Sequence, residues 1–140
     1  RGSYKVIEIA NFTGGPKNLG DYRIRQYQNG SPTALNPNCT LDNVILADGE
    51  VYVIGYNSGV PNNNQIFNWS FNGDDVIVLT DSDLNVIDIV GEIGVQTNYN
   101  ADTSLIRNSG MGPNTTFTTS EWTEVGNGTD TSNLGSHTYN

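Results

Sequence analysis

Two short apolar runs separated by a polar break constrain the fold of this chain more than any other feature. The runs are Val76–Leu79 and Val86–Val90, and the break between them contains Asp81, Asp83 and Asn85. Continuous apolar runs of four to eight residues are typical of strands that are covered on both faces or lie centrally in a sheet. We therefore predict a β-hairpin here and place the hydrophobic core around it.

Other segments have the alternating pattern of half-buried strands. In Val6–Ala10, the side chains of Ile7 and Ile9 share one face and Glu8 takes the other. Glycine, proline and asparagine punctuate the chain between such segments, as turn residues do. Seven or eight short strands with frequent turns predict an all-β, immunoglobulin-like antiparallel β-sandwich. The further predicted strands are Tyr22–Tyr27, Leu41–Leu46, Val51–Ile54, Ser104–Arg107 and Thr116–Thr118.

The length, net charge and apolar content of the chain limit the functions that it can have. A chain of 140 residues is the size of one domain, so we predict a single domain over residues 1–140. The formal net charge of −9 repels nucleic-acid phosphates and anionic lipids. We therefore expect no direct binding of nucleic acid. No apolar run approaches the ~18 residues of a membrane span. We expect an extracellular or cell-surface location.

The residues that could carry catalysis do not form a recognisable catalytic set. Asp74 and Asp75 are neighbours, and neighbours in a strand point to opposite faces, so a turn-capping role is favoured over a shared proton. His137 is the only histidine, and it lies in a tail that looks flexible, without a base-orienting partner. Cys39 is the only cysteine and sits in a polar stretch typical of a passive thiol. We predict no catalytic residues and no enzyme activity beyond an accessory role in a secreted hydrolase.

Two ligand-binding interpretations stay open. Asp81, Asp83 and Asn85 have the one-three-five oxygen spacing of a calcium loop, but the sixth position is Val86 instead of glycine, which favours a hairpin turn over a weak Ca²⁺ site. Two tryptophans could form a sugar-stacking platform, although a tryptophan in a β-sandwich is more often a core anchor. The two tryptophans are Trp69 and Trp122.

Several motifs, in order along nearly the whole chain, resemble the lamin-tail domain. The opening Ile7–Gly14 has a Glu-Ile-x-Asn-x-Thr-Gly run, and the pair formed by Phe71–Asp75 and Val86–Gly94 is the most specific part. The resemblance is to the bacterial secreted branch of the family. The motif residues to which it assigns structural roles are Asn72, Gly73, Asp74, Asp75, Asp88, Gly91, Arg107 and Trp122.

The resemblance carries structural implications for these residues. Gly73 and Gly91 are expected at backbone positions closed to side chains, and Asp88 is expected to pair with Arg107. The family pattern begins with a strand before a turn that here matches Gly2–Lys5, so the first edge strand is missing from this sequence. A sandwich without that strand exposes an unpaired edge and an apolar groove.

Three functions follow as expectations. The first is a non-catalytic interaction or targeting module of a secreted or cell-surface bacterial protein, with a protein partner. The second is a self-assembling subunit of an extracellular filament or sheath, in which strand donation completes each copy. The third is a Ca²⁺- or glycan-binding accessory module, and apart from that Ca²⁺ no cofactor is expected.

Overall fold

The computed structural model describes residues 5–127 and 131–139, and the strands in these residues are short. The turn expected at Gly2–Lys5 lies outside the described residues except for Lys5. Two short 3₁₀ turns, Leu19–Asp21 and Thr119–Glu121, each lead directly into a strand. The eleven described strands are β1 (Val6–Ala10), β2 (Lys17–Asn18), β3 (Tyr22–Tyr27), β4 (Cys39–Thr40), β5 (Ile45–Leu46), β6 (Val51–Gly55), β7 (Gln65–Ile66), β8 (Val76–Asp81), β9 (Val86–Val90), β10 (Ser104–Arg107) and β11 (Trp122–Val125).

Two main sheets form the sandwich. One has the strand order β4-β3-β8-β9 and the other β1-β6-β7, while β2-β5 and β10-β11 form two-stranded ribbons. All pairs are antiparallel except β6 with β7, which are parallel. The immunoglobulin-like β-sandwich predicted from the strand pattern is therefore confirmed. The pair of β6 and β7 departs from the antiparallel arrangement predicted for the sandwich. It is parallel because the loop 56–64 brings Gln65 beside Ile54, and β7 then continues in the same direction as β6.

The larger core cluster lies between the two sheets. Trp69 is 1% exposed and lies among Ile54, Leu41 and Cys39, all of which are buried. The Trp69 indole Nε1 donates a hydrogen bond of 2.9 Å to the Ile54 carbonyl oxygen, which satisfies its polar atom inside the core. Trp69 is thus a core anchor, as the sandwich pattern predicted.

A second cluster covers the opposite face of the four-stranded sheet. Val76 and Val78 of β8 pack there with Tyr27 and with Tyr99 and Phe117, which come from loops. The edge of the Phe117 ring meets Tyr99 with ring centroids 5.7 Å apart. The strand β8 thus has the central position in a sheet that its apolar run predicted, with loops packed on one face and the second sheet on the other, where Ile77 and Leu79 stay half-buried.

Some predicted elements differ from the structure. The segment Leu41–Leu46 is a strand only at Ile45–Leu46, because Leu41 turns inward to the core and leaves the sheet. Thr116–Thr118 is not a strand, because Phe117 serves as a loop plug against Tyr99. The strand β11 was not predicted, and β9 lies at a sheet edge instead of the centre.

Candidate interaction site

The strand β8 is buried unequally on its two faces, and this inequality marks the site. Val76 and Val78 face the loop-covered cluster and are 1% and 0% exposed. Ile77 and Leu79 face the other sheet, where a sandwich is normally driest, yet both remain only half-buried. The space between the sheets is therefore incompletely filled along this strand.

The strand β1 has one free edge. It pairs with β6 in an antiparallel register in which Ile7 lies opposite Ile54. In such a ladder, every second residue of a strand is hydrogen-bonded to the partner strand. The bonds from Tyr56 N to Lys5 O and from Asn11 N to Glu50 O show that the odd-numbered residues of β1 are the ones bonded toward β6. The backbone groups of even-numbered residues therefore point away from β6, where no other described strand pairs with them.

A groove of about 980 Å³ follows this free edge. The inward side chains of β1, Ile7 and Ile9, line one wall and are half-buried like Ile77 and Leu79 opposite them. The hairpin β10-β11 contributes Leu105. More of the groove lining is apolar than polar, and the groove lies beside the edge of β1 where an additional strand would extend the sheet.

The C-terminal segment 131–139 lines part of the groove and does not join a sheet. Its Gly135 backbone N donates a hydrogen bond of 2.7 Å to a Glu8 carboxylate oxygen, and the Leu134 carbonyl oxygen accepts one of 3.1 Å from the Asn62 side-chain amide. The ring of Tyr139 stacks on Phe12 with centroids 5.3 Å apart. The segment is held by side-chain contacts, so it leaves the backbone edge of β1 unpaired.

Glu8 is the charged group of β1 beside this edge. Its side chain lies on the outer face of the strand and is half-buried by the C-terminal segment. Burial raises the pKa of the Glu8 carboxyl, and the hydrogen bond from Gly135 lowers it by a smaller amount. The carboxylate is thus poorly solvated for an anion and gains from any additional cation or donor placed next to it.

A polar cluster centred on Arg107 closes one end of the groove. The guanidinium forms an ion pair with Asp88 of β9 and a second one with Glu121 at 3.0 Å. It also lies over the Trp122 ring, with its central carbon 4.1 Å from the ring centroid. The side-chain amide of Asn114 donates a hydrogen bond of 3.0 Å to Glu121, which ties the preceding loop to the cluster. The structure thus brings together three of the motif residues singled out by the sequence, Asp88, Arg107 and Trp122.

This cluster predicts a clear stability effect. The Arg107 side chain is only 11% exposed, so the variant Arg107→Met leaves two half-buried carboxylates without a cation. We expect a loss of about 2 kcal/mol in the free energy of unfolding, measured by urea denaturation. In a double-mutant cycle, Arg107→Met should cost markedly less in an Asp88→Leu background. Equal costs in the two backgrounds would show that the pair does not stabilise the fold.

The other motif residues form a turn before β8. Asp75 is 3% exposed, and its carboxylate accepts hydrogen bonds from the backbone N of Asn29 at 2.9 Å and of Asn72 at 3.2 Å. Burial raises the pKa of the Asp75 carboxyl, and these backbone donors partly offset that effect. Asp74 instead accepts a bond of 2.8 Å from the Gln96 side chain. The side-chain amide of Asn72, in the orientation that its contacts require, donates to both carboxylates, so Asp74 and Asp75 serve as acceptors of the turn.

The two motif glycines have positive φ angles and close neighbours. Gly73 has φ +99°, and a side chain there would overlap the backbone of Ala101. Gly91 has φ +95°, and a Cβ would come within 2.9 Å of Val76 and 3.0 Å of Tyr99. Both positions are closed to side chains, as the resemblance implied.

The turn between β8 and β9 uses Asp81 for its own backbone. The Asp81 carboxylate accepts hydrogen bonds of 2.9 Å from the backbone N of Asp83 and of Asn85, and one of 3.0 Å from the Asn85 side chain. The bonds from Asn85 lower the pKa of Asp81. Within residues 5–127 and 131–139, no group of three or more His, Cys, Asp or Glu side chains is placed to hold a metal ion. The geometry is that of a hairpin turn, and Ca²⁺ binding stays a prediction.

The remaining candidate residues are dispersed. Cys39 is 0% exposed, and burial, reinforced by nearby Asp42, raises the pKa of its thiol to about 12. Such a thiol is not a nucleophile at neutral pH. His137 packs its ring 6.0 Å from Phe12, so the tail that looked flexible in sequence is placed against β1 and its turn. Trp122 lies beneath Arg107 and offers no open ring face on that side.

Sequence reasoning found the apolar wall of the groove but missed two of its parts. Alternation placed Ile7 and Ile9 on one face of β1. The contact of Glu8 with Gly135 was missed because the two residues are 127 positions apart and neither segment carries a pairing signal. The role of β11 was missed because Trp122–Val125 precedes a glycine- and asparagine-rich tail that obscures the strand.

An immunoglobulin-like β-sandwich with an open apolar groove beside an edge strand is the architecture of an interaction domain. Residues 1–94 match the Lamin Tail Domain, which is two thirds of the chain, and the chain belongs to that family. The family comprises immunoglobulin-like interaction domains that are not enzymes. No curated protein matches the chain. In the described residues, no helix has the length and apolar character needed to cross a membrane.

Proposed function

We propose that this domain is an interaction and targeting module of a secreted or cell-surface bacterial protein, and that a partner protein binds in the groove beside β1. The observation that carries the proposal is the half-buried state of Ile77 and Leu79, which lie where a closed sandwich would bury them completely. Filling the groove removes this apolar surface from water and thereby favours binding. The same module could hold a larger hydrolase close to its site of action.

Charge and composition support an extracellular setting for this activity. The net charge of −9 gives a soluble surface that does not adhere to phosphate-rich polymers. The single cysteine is buried, so the described surface presents no thiol to an oxidising environment. These properties suit a module that works outside the cell, where its partner would be another protein of the envelope or its surroundings.

The proposal is tested by retention of the purified domain on intact cells of the organism that encodes it. The groove variant Ile9→Ser replaces a half-buried wall residue, whereas Ile66→Ser replaces an isoleucine that is 56% exposed on the far edge strand β7. We expect the native domain and Ile66→Ser to be retained and Ile9→Ser to lose at least about tenfold in affinity, because groove contacts carry the binding. Circular dichroism verifies that both variants are folded. Equal retention of the two variants, or none by the native domain, would contradict the proposal.

A second candidate is a subunit of an extracellular filament or sheath. The unpaired edge of β1 favours this candidate, because such an edge accepts a strand from another copy. Repetition of that contact from copy to copy builds an open-ended filament. Electron microscopy and analytical ultracentrifugation from micromolar to millimolar concentration test this candidate. Fibres or concentration-dependent oligomers support it, and a strict monomer throughout excludes it.

A further inference from the structure

The register of β1 specifies the kind of strand that the groove accepts, if the groove is the binding site proposed above. The N–H and C=O groups of Val6, Glu8 and Ala10 point to the free edge, since the odd-numbered residues are bonded to β6. An extended segment beside β1 can pair with all three residues. Backbone pairing of this kind supplies affinity without selecting a sequence, so selection depends on the side chains.

Side chains of an added strand alternate in step with those of β1. Residues opposite Ile7 and Ile9 would point into the groove toward Ile77 and Leu79, because directly opposed residues share a face. The residue between them would lie opposite Glu8 on the outer face. The groove therefore accepts two apolar side chains two positions apart, with one outward residue between them.

The charge of Glu8 determines which residue is favoured at the outward position of the added strand. Glu8 is a half-buried carboxylate whose oxygen accepts a hydrogen bond of 2.7 Å from the Gly135 backbone N. A Lys or Arg directly across the strand pair stabilises it, and an acidic residue there repels it. The net charge of −9 acts in the same direction over the whole surface and opposes the approach of a second copy of this chain.

We infer that the groove binds an extended segment of another protein with the pattern apolar, basic, apolar, whose basic residue lies opposite Glu8. This chain has that pattern only at Tyr4–Val6 and Tyr22–Ile24. Val6 lies in β1 opposite Gly55 of β6, and Tyr22–Ile24 lies in β3 between β4 and β8. Lys5 and Val6 of the first copy and all of the second copy are held within the fold, so the partner must supply its own copy.

Capped synthetic peptides test the pattern. The probe is Thr-Val-Lys-Val-Thr, and the comparison peptides are Thr-Val-Glu-Val-Thr and Thr-Ser-Lys-Ser-Thr. Binding is followed by NMR titration of the native domain. We expect the lysine peptide to bind with a Kd about tenfold lower than the glutamate peptide, and the serine peptide to bind more weakly than the lysine peptide. The amides of Val6, Glu8 and Ala10 should become protected from hydrogen exchange in the complex.

Variants separate the role of Glu8 from general electrostatics. Glu8→Gln keeps an acceptor for Gly135 and should abolish the preference for lysine, while Glu8→Lys should reverse it. The matched control Glu92→Lys gives the same change in net charge as Glu8→Lys at an exposed position after β9 and should leave the preference intact. Equal affinity for the lysine and glutamate peptides, or persistence of the preference in Glu8→Gln, would overturn the inference.

The inference and the proposed function fail in different ways. If no peptide protects the β1 amides but cell retention still depends on Ile9, the groove binds a partner that is not a strand, and only this inference falls. If ultracentrifugation shows that the domain dimerises through β1 in preference to binding the lysine peptide, the occupant is a second copy and the inference is again overturned. Loss of Ile9 dependence overturns the proposed function itself.

Discussion

Replacement of Trp69 by alanine should remove about 3–5 kcal/mol from the free energy of unfolding, a large share of the ~5–15 kcal/mol that stabilises a domain. Trp69 is 1% exposed, and its ring lies 4.7 Å from Phe67 and 5.8 Å from Phe71 between ring centroids. Truncation leaves a cavity at the centre of the larger core cluster, which the surrounding strands cannot close. Urea denaturation followed by far-ultraviolet circular dichroism measures the loss.

The variant Trp69→Phe serves as the control. It retains an apolar ring but leaves the Ile54 carbonyl oxygen without the indole donor, so it should cost less, about 1–3 kcal/mol. Trp69→Ala and Trp69→Phe therefore separate packing from hydrogen bonding. A cost below about 1 kcal/mol for Trp69→Ala would contradict the central position assigned to this residue.

The second large effect is expected at Gly73, where alanine should cost about 3 kcal/mol or more. Its φ angle of +99° is unfavourable for any residue with a Cβ, and the added methyl group overlaps the backbone of Ala101. Backbone cannot move aside as a flexible side chain can, so the overlap adds to the conformational strain. Thermal and urea unfolding measure the effect.

Gly94→Ala provides the matched control for Gly73→Ala. Gly94 has a similar φ of +87°, but a Cβ there meets no atom within 4 Å, so alanine pays only the conformational cost of about 1–2 kcal/mol. The difference between the two variants isolates the overlap with Ala101. Equal destabilisation at both positions would show that the close approach at Gly73 contributes nothing.

The fold was predictable from the sequence where local pattern and tertiary burial agree. The alternation in Val6–Ala10 and the apolar runs around the Asp81–Asn85 turn identified β1, β8 and β9 because short strands with polar turns satisfy both local preference and core burial. The same reasoning failed at Leu41 and Phe117. These residues reach the core from loops, where side-chain burial is set by distant partners and leaves no periodic pattern.

The candidate site was predictable only in part. The shared face of Ile7 and Ile9 followed from alternation, whereas the pairing phase that points Val6, Glu8 and Ala10 away from β6 required the register between β1 and β6. A shift of one residue would have exchanged the two faces, and nothing in Val51–Gly55 alone specifies the register. The charge at the edge was visible in sequence, but the contact that buries Glu8 was not.

The contact between Glu8 and Gly135 has a consequence for how the chain folds. Gly135 follows Glu8 by 127 positions, so this contact forms only after the chain has been synthesised as far as Gly135. Strand β1 can pair with β6 much earlier, since the two segments are close in sequence. During synthesis, therefore, β1 and β6 can pair before the C-terminal segment reaches Glu8, and in that interval the Glu8 carboxylate lacks the hydrogen bond from the Gly135 backbone N.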